Sequence, residues 1–314
     1  MGRPVCLLVD AMHESILEML TEIGWEPSYQ PDITRDEIKK IHHGYQGIIV
    51  RSKTTIDHDL LGNNPTIKFI GRAGAGLDNL DLDYLGQKNI AVVHASEGNR
   101  DAVGEYTIGA LLSLMRNIPR ANQQVRKQVW DREGNRGEEI MGKTVGIIGY
   151  GNMGRAFAQR LAGFGCTVLA YDKYKSNYGD QFATQSGMDE LYDKADILSL
   201  HIPLTSETKR LVSFDFLNRF KKKIVLINTA RGEIVALTAV VEALKSGQVR
   251  GAVLDVLENE KLSTLTVEQK QAMNYLGEQT NVILTPHIAG WTFESHVKIN
   301  VALVQKLQAL RLTS

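Results

Sequence analysis

TVGIIGYGNMG, residues 144–154, is a short apolar run followed by three glycines at G-x-G-x-x-G spacing and then by a helical pattern. In a strand-turn-helix unit of this kind the first glycine allows a tight turn, and the second lets the backbone approach a pyrophosphate. The third lets the helix pack closely on the strand. Gly149, Gly151 and Gly154 hold these positions. A glycine-rich turn in any α/β protein can show the same spacing, so the motif alone is a weak signal.

Asp172 strengthens the interpretation of the glycine motif. It ends the next apolar run, TVLAYD, about 20 residues further on, where a carboxylate can accept hydrogen bonds from ribose hydroxyls. A carboxylate there repels a 2'-phosphate, so the sequence favours NAD over NADP. Lys173 and Lys175 are near enough to soften this preference, although solvated loop charges are the simpler interpretation.

The remaining apolar runs predict two parallel sheets covered by helices. The second half of the chain offers six strands, enough for a doubly wound nucleotide-binding sheet: TVGIIG, TVLAYD, ILSLH, IVLIN, GAVLDVL and NVILT. The first ninety-odd residues offer VCLLVD, GIIV, IKFIG and IAVVHA, with helical segments such as ESILEMLTEIG between them. A long apolar helix at residues 101–115 is a candidate bridge between two domains.

Charge and composition narrow the class of protein. The 314 residues include 36 basic and 36 acidic side chains, so no net charge attracts nucleic acid or an anionic membrane. Cys6 and Cys166 lie in apolar runs without a cysteine nearby, as free thiols do. No run approaches the roughly 20 apolar residues of a membrane span, and no signal-peptide pattern opens the chain. We therefore expect a cytoplasmic protein without nucleic-acid or membrane partners.

Four side chains that can do chemistry follow strands of the second predicted sheet: Arg231, Asp255, Glu260 and His287. Because the carboxyl ends of parallel strands share one edge, we expect these side chains beside the cofactor crevice. His287 follows Thr-Pro, where a histidine can equally be a turn residue. A carboxylate partner such as Glu260 would fix the orientation of the imidazole and favour its charged form, which makes a general acid and base. The other histidines are scattered, so no metal site is predicted.

Several motifs in fixed order resemble those of the D-isomer-specific 2-hydroxyacid dehydrogenases, especially the 3-phosphoglycerate dehydrogenases of that family. In the second half they are GYGNMG, the downstream Asp172, HIPLT, INTARGEIV, GAVLDVLENE and TPHIAG. In the first half they are VRSKTTID, GRAGAGLDNLD and EGNRDAVGEYT. The resemblance covers nearly the whole chain. It implies an α/β fold of two doubly wound parallel-sheet domains and a homodimer through the NAD-binding domain. A Rossmann NAD-binding domain, residues 96–290, would be inserted into a flavodoxin-like substrate domain, residues 1–95 and 291–314.

The resemblance also implies a reaction, in which a hydride passes between C2 of a D-2-hydroxy acid and C4 of nicotinamide. Arg231 would hold the substrate carboxylate, His287 would act as general acid and base, and Glu260 would orient His287. The implied cofactor contacts are Gly149, Gly151, Asn152, Met153, Gly154, Asp172, His201, Pro203, Thr208, Thr229, Ala230, Asp255 and Ala289. The implied substrate contacts are Arg51, Ser52, Arg72, Gly74, Ala75, Gly76, Arg231 and His287.

The identity of the acid stays open at this point. Arg51, Lys53, Arg72 and Arg132 lie in segments that resemble those supplying extra cations, which favours 3-phosphoglycerate and 3-phosphohydroxypyruvate, the acids of serine biosynthesis. Two departures from the family pattern stand against this. Trp291 replaces a small residue after HIAG, and Lys261 replaces a proline after the glutamate.

Three alternatives follow from the same motifs. One is a reductase of glyoxylate, hydroxypyruvate or another small 2-keto acid. Another is a NAD-responsive transcriptional corepressor, which shares the fold and these residues. A formate dehydrogenase is a weaker match, because that family has glutamine where Glu260 stands. The chain ends soon after a final amphipathic helix, so we expect no regulatory domain of the kind that some relatives carry.

Overall fold

The protein folds into two compact units, each built around its own parallel sheet. The structure, a computed structural model, describes residues 2–311. The first unit comprises residues 1–100 and 291–314, and the second comprises residues 101–290. Among residues 2–311, no helix is long and apolar enough to cross a membrane.

The first unit contains a five-stranded sheet whose strands all run parallel in the order β2-β1-β3-β4-β5, that of flavodoxin-like folds. Its strands are β1 (Val5–Leu8), β2 (Glu26–Tyr29), β3 (Gly47–Val50), β4 (Phe69–Arg72) and β5 (Ala91–His94). The helices between them are α1 (Ser15–Glu22), α2 (Arg35–Ile41), α3 (His58–Leu61) and α4 (Leu82–Gln87), with a 3-10 turn at His42–Gly44.

β2 is the one strand of this sheet that the apolar pattern does not predict. Its sequence, EPSY, has no apolar run, because the strand lies at the sheet edge and pairs only with β1. An edge strand tolerates proline, since one row of its backbone groups does not enter the hydrogen-bond ladder. The other four strands lie where their apolar runs predict them.

The second unit contains a seven-stranded parallel sheet in the order β12-β11-β10-β9-β6-β7-β8. Its strands are β6 (Thr144–Ile148), β7 (Thr167–Tyr171), β8 (Thr184–Gln185), β9 (Ile197–Leu200), β10 (Ile224–Asn228), β11 (Val249–Leu254) and β12 (Val282–Leu284). The first six of these follow the Rossmann order 3-2-1-4-5-6, and β12 adds a seventh strand beyond β11. The predicted α/β fold with two doubly wound parallel sheets is confirmed. In this second sheet, the exposed two-residue β8 is the described strand that no apolar run predicts.

Helices cover this sheet, and α5 (Arg100–Met115) begins where the second unit begins. The others are α6 (Ile118–Arg126), α7 (Asn152–Leu161), α8 (Met188–Lys194), α9 (Phe214–Asn218), α10 (Leu237–Ser246) and α11 (Val267–Glu278), with 3-10 turns at Gly232–Ile234 and Leu262–Thr264. The central strands carry almost no exposed side chains, which is why they read as continuous apolar runs.

The final helix, α12 (Phe293–Ala309), belongs to the first unit, where it packs on α1, β4 and β5. Thr292 and Ser295 cap its first turn by reciprocal hydrogen bonds. Near its last turn Lys306 donates to the carbonyl of His94 over 2.7 Å and pairs with Glu97 at 2.8 Å. The contacts of Lys306 anchor the last part of the helix to the end of β5 and the segment after it.

The core of the first unit leaves no room for a side chain at Gly47, the first residue of β3. A Cβ there would lie 2.2 Å from the ring of Phe69, which packs edge-to-face on Trp25 with ring centroids 4.9 Å apart. We expect Gly47→Ala to lower the free energy of unfolding by about 1–3 kcal/mol, because the ring must move. Urea denaturation measures this. Gly44→Ala is the control, since no heavy atom lies within 4 Å of the added carbon. Equal stability of the two variants would contradict the prediction.

Candidate active site

The three glycines after β6 occupy different environments. Gly149 has a φ of +92°, and a Cβ there would lie 2.4 Å from the carbonyl oxygen of His201. A Cβ on Gly154 would lie 2.1 Å from the carbonyl oxygen of Gly149. At Gly151 a Cβ would meet no atom within 4 Å. Two of the glycines therefore allow close packing within the fold, while Gly151 borders open space.

Gly151 is also the N-cap residue of α7, whose first two residues are Asn152 and Met153. As a glycine it offers no side chain to accept from the amides of the first turn, and that turn contains no acidic residue. The positive end of the helix dipole and these amides suit an anionic group placed beside Gly151.

Asp172 follows β7 and lies against the glycine loop. One oxygen of its carboxylate accepts from the amide of Tyr150 over 3.0 Å, and the other accepts from the amide of Tyr174 over 3.0 Å. Its own amide donates to the hydroxyl of Tyr178 over 2.8 Å. These bonds fix the carboxylate, whose remaining lone pairs can accept from the hydroxyls of a ribose.

The loop after β9 contains His201, Pro203 and Thr208. Burial lowers the pKa of His201 to about 3, so its ring is neutral at physiological pH. Its Nε2 lies 2.8 Å from the hydroxyl of Ser199, whereas its buried Nδ1 has no hydrogen-bond partner among residues 2–311. Thr208 donates to the carbonyl of Pro203 over 2.7 Å, which closes the loop on itself.

Asn228 organises the turn after β10. Its side chain is buried, accepts from the amide of Ala230 over 3.1 Å and donates to the carbonyl of Arg231 over 2.9 Å. The amide therefore fixes both sides of the turn that carries Arg231. Between them, the buried hydroxyl of Thr229 has no partner in the described part of the chain. Sequence reasoning missed Asn228, although a polar residue ending a fully buried strand was the available signal.

The loop after β12 carries His287, which has a φ of +57°. A residue other than glycine rarely adopts this left-handed conformation, and other contacts must hold it there. Asp255 supplies them: its carboxylate accepts from the hydroxyl of Thr285 over 2.6 Å and from the amides of Ile288 and Ala289 over 2.9 and 2.8 Å. Its carbonyl accepts from the amide of His287 over 2.7 Å. Because the Thr285 hydroxyl donates its proton to Asp255, it accepts from the hydroxyl of Tyr106.

His287 and Glu260 form a pair. The Nδ1 of His287 lies 3.0 and 3.1 Å from the two carboxylate oxygens, and the side chains are 45% and 48% exposed. Burial opposes ionisation of Glu260. The hydrogen bond and charge of His287, a backbone hydrogen bond with Leu257 and the charge of Arg231 outweigh it. The pKa of Glu260 therefore lies below its usual range. Arg231, Glu260 and His287 follow the parallel strands β10, β11 and β12, so all three groups lie in loops at the same edge of the second sheet.

The first unit brings its predicted substrate contacts to the corresponding edge of its own sheet. Arg51 and Ser52 follow β3, Arg72 ends β4, and the Gly74-Ala75-Gly76 segment begins two residues after Arg72. Since β3 and β4 pair in parallel with Val50 opposite Arg72, these residues lie side by side. The guanidinium of Arg72 fills the space of a side chain at Gly74, where a Cβ would lie 1.7 Å from its nitrogen.

Arg51 is held on three sides. Its amide donates to the buried carboxylate of Asp10 over 2.5 Å, and its guanidinium donates to the carbonyl of Ala11 over 3.2 Å. The same guanidinium lies 4.5 Å from the centre of the Trp291 ring. Burial lowers the pKa of Arg51, against the charge of Asp10. Asp10 was not predicted, because nothing local in the sequence shows that it reaches the end of a different strand.

Lys53 and Arg132 differ from Arg51. The ammonium of Lys53 donates to the carbonyls of Pro31 and Ile33 over 2.6 and 2.9 Å, so it stabilises the loop after β2. Arg132 is an exposed residue of the segment after α6, in the second unit.

Among residues 2–311, no three or more His, Cys, Asp or Glu side chains come together as metal ligands would.

The edge of the second sheet fits a nicotinamide dinucleotide. Gly151 offers backbone and open space to a pyrophosphate, and Asp172 offers acceptors to a ribose. The buried atoms of His201 and Thr229 that lack partners in the described residues are groups that a bound molecule would satisfy.

The surroundings of Gly151 and Gly154 predict different roles for them, Gly151 in cofactor binding and Gly154 in packing of the fold. We expect Gly151→Ala to fold as stably as the unaltered protein and to bind NAD about tenfold or more weakly, because its Cβ enters open space that the pyrophosphate needs. Gly154→Ala, the matched variant, should lose about 1–3 kcal/mol of stability. Thermal unfolding and NADH titration by nicotinamide fluorescence measure the two effects. A Gly151→Ala protein with undiminished affinity would contradict this assignment.

Comparison with known proteins agrees with the geometry. Residues 108–289 match the family model described as D-isomer specific 2-hydroxyacid dehydrogenase, NAD binding domain. Over 305 residues the chain is 32% identical to a protein from Methanocaldococcus jannaschii named D-3-phosphoglycerate dehydrogenase, covering 96% of this chain and 56% of that protein. The chain thus spans little more than half the length of that relative.

Two further comparisons cover both partners more evenly. A Thermotoga maritima protein named hydroxypyruvate reductase is 34% identical over 275 residues, which are 88% of each chain. The solved structure of D-lactate dehydrogenase from Aquifex aeolicus, complexed with NAD and lactic acid, matches with a TM-score of 0.83 at 28% identity. That match covers 98% of this chain and 95% of that chain. The chain therefore belongs to the family of D-isomer specific 2-hydroxyacid dehydrogenases, with a NAD-binding domain in residues 108–289.

Proposed function

We propose that the protein is a NAD-dependent dehydrogenase of a D-2-hydroxy acid, and in the reverse direction a reductase of the 2-keto acid. The observation that carries this proposal is the His287 and Glu260 pair, with the charge of Arg231 beside it, in the unit that holds the glycine loop. NAD, when bound, supplies the hydride acceptor at C4 of its nicotinamide. The first unit, residues 1–100 and 291–314, is the proposed substrate domain.

His287 is the proposed general acid and base. Its Nδ1 faces Glu260, which leaves Nε2 to take the proton of the substrate hydroxyl in oxidation or to return it in reduction. The adjacent carboxylate stabilises the imidazolium that forms. Both side chains are about half exposed, so a substrate can reach the ring.

Arg231 is the proposed anchor of the substrate carboxylate. A guanidinium presents planar donors that match a carboxylate, and its charge persists at any physiological pH. One of its nitrogens donates to the carbonyl of Ala230 over 2.6 Å, and Asn228 fixes the turn beneath it. The side chain is therefore preorganised before substrate arrives.

For the substrate itself we propose 3-phosphoglycerate and 3-phosphohydroxypyruvate. Arg51 and Arg72, side by side at the edge of the first sheet, offer the additional positive charge that a phosphate needs, and several relatives carry the corresponding name. The second candidate is a reductase of hydroxypyruvate or another small 2-keto acid. The Thermotoga maritima relative favours it, and so does the indole of Trp291 over one face of Arg51.

A panel of 2-keto acids separates these candidates. We expect NADH oxidation with the highest kcat/KM for 3-phosphohydroxypyruvate, by about tenfold or more over hydroxypyruvate, glyoxylate and pyruvate, because a charged phosphate gains charge-assisted hydrogen bonds. The absorbance of NADH follows the reaction. A preference for an unphosphorylated acid would support the second candidate, and no turnover with any acid would support a NAD-responsive binding protein.

The control for this panel is His287→Asn, which keeps a polar side chain but removes the titratable ring. It should lower kcat by about 10²- to 10⁴-fold while the affinity for NADH is unchanged. Full activity of this variant would remove His287 from the mechanism.

We also propose a homodimer formed through the second unit. No residue of α6 is buried, and α6 with the segment after it exposes Ile118, Val125, Val129 and Trp130, the last by 84%. A folded monomer seldom exposes so many large apolar side chains together, whereas an interface between subunits buries them.

Substitution of this patch tests the dimer. Light scattering after gel filtration should give twice the chain mass for the unaltered protein and the chain mass for a Val125→Asp and Trp130→Asp double variant, because buried carboxylates disfavour association. Phe293→Asp, at an almost fully exposed phenylalanine of the first unit, is the control and should stay dimeric. A double variant that remains dimeric would place the interface elsewhere.

A further inference from the structure

Two loops at the edge of the second sheet are joined by a cluster of charged side chains. The loop after β7 carries Asp172, Lys173 and Tyr174, and the loop after β9 carries Glu207. The ammonium of Lys173 pairs with the Glu207 carboxylate, and the hydroxyl of Tyr174 donates to the same carboxylate oxygen over 3.1 Å. The ammonium of Lys175 instead donates to the carbonyl of Tyr150 in the glycine loop over 2.8 Å.

Lys173 occupies a position that matters for the choice of cofactor. It directly follows Asp172, and a cation next to the ribose-binding carboxylate is the group that accommodates the 2'-phosphate of NADP. An available ammonium there would offset the repulsion that Asp172 exerts on a 2'-phosphate. In this protein the ammonium is drawn to Glu207 on the neighbouring loop.

We propose that Glu207 is a specificity-determining residue, which neutralises Lys173 and so preserves the preference for NAD over NADP. Two carboxylates then oppose binding of a 2'-phosphate. Asp172 repels it directly, and Glu207 pairs with the ammonium of Lys173, the residue after Asp172, which would otherwise attract it. This inference rests on the NAD preference that forms part of the proposed function.

The pair is exposed, which sets the size of the effect. The side chains of Lys173 and Glu207 are 56% and 57% exposed, so solvent and salt screen their attraction. The hydrogen bond of Lys173, and then that of Tyr174, lowers the pKa of Glu207, so its carboxylate stays charged across the neutral range. A Lys173 that no longer pairs with Glu207 should therefore lower the Kd of NADPH by a modest factor, and the effect should be largest at low ionic strength.

Binding of the two reduced cofactors tests the inference without any substrate. Titrations by nicotinamide fluorescence give the Kd of NADH and of NADPH at low salt. Glu207→Gln should strengthen NADPH binding relative to NADH by about fivefold, and the gain should shrink as salt is added. Glutamine keeps an acceptor for the hydroxyl of Tyr174, so the variant removes chiefly the charge. The control is Asp193→Asn, which removes an exposed carboxylate paired with Lys221 at the opposite edge of the sheet. It should change neither Kd.

The Glu207→Gln substitution made in a Lys173→Met variant shows whether any strengthening of NADPH binding depends on Lys173. If Glu207 acts through Lys173, the gain from Glu207→Gln should vanish when Lys173 is replaced by methionine; a gain that persists in Lys173→Met would overturn the inference. A clear NADH preference that Glu207→Gln leaves unchanged would overturn this inference alone. Equal affinity of the unaltered protein for NADH and NADPH would contradict both the proposed NAD preference and the role of Glu207.

Discussion

The carboxylate of Asp255 holds the loop on which the proposed chemistry depends. Only 1% of this residue is exposed, and a buried carboxylate is costly unless hydrogen bonds replace the water that it loses. Three donors of residues 285–289 replace that water, and its carbonyl takes a fourth. The same bonds keep His287 at a positive φ and so turn its ring towards Glu260. The hydrogen bonds of Asp255 thus offset the cost of burying its carboxylate, stabilise the strained backbone of His287 and orient the His287 ring.

Parallel strands supply the rest of the arrangement. The strands of the second unit run parallel and end at the same edge of the sheet, and six of the seven described are followed by a functional group: the glycine loop after β6, Asp172 after β7, His201 after β9, Arg231 after β10, Asp255 after β11 and His287 after β12. The strands are buried and rigid, so the loops inherit fixed starting points. Groups more than a hundred residues apart in sequence are therefore placed together by sheet order alone.

This dependence on sheet order explains what the sequence could and could not predict. Buried parallel strands read as apolar runs, so ten of the twelve strands in residues 2–311 were predictable, whereas β2 and β8 lie at sheet edges and carry no such run. The glycine motif and the residues that follow strands were predictable for the same reason, and the comparisons confirm the family and its NAD-binding domain. Pairings between loops were not. Asp10 with Arg51 and Lys173 with Glu207 depend on which strands are neighbours and on loop shape.

The two acids of the LDVLENE segment show how environment separates residues of one chemical type. Asp255 is buried and surrounded by donors, so its carboxylate has little capacity left for a substrate, and its effect on the reaction passes through the loop it holds. Glu260, five positions later, is about half exposed and lies against an imidazole and near the charge of Arg231. A carboxylate that must orient a catalytic imidazole needs this second environment, because the hydrogen-bonding capacity of a saturated buried carboxylate is already committed to the loop around it. Holding geometry and assisting proton transfer therefore fall to different carboxylates, and burial decides which.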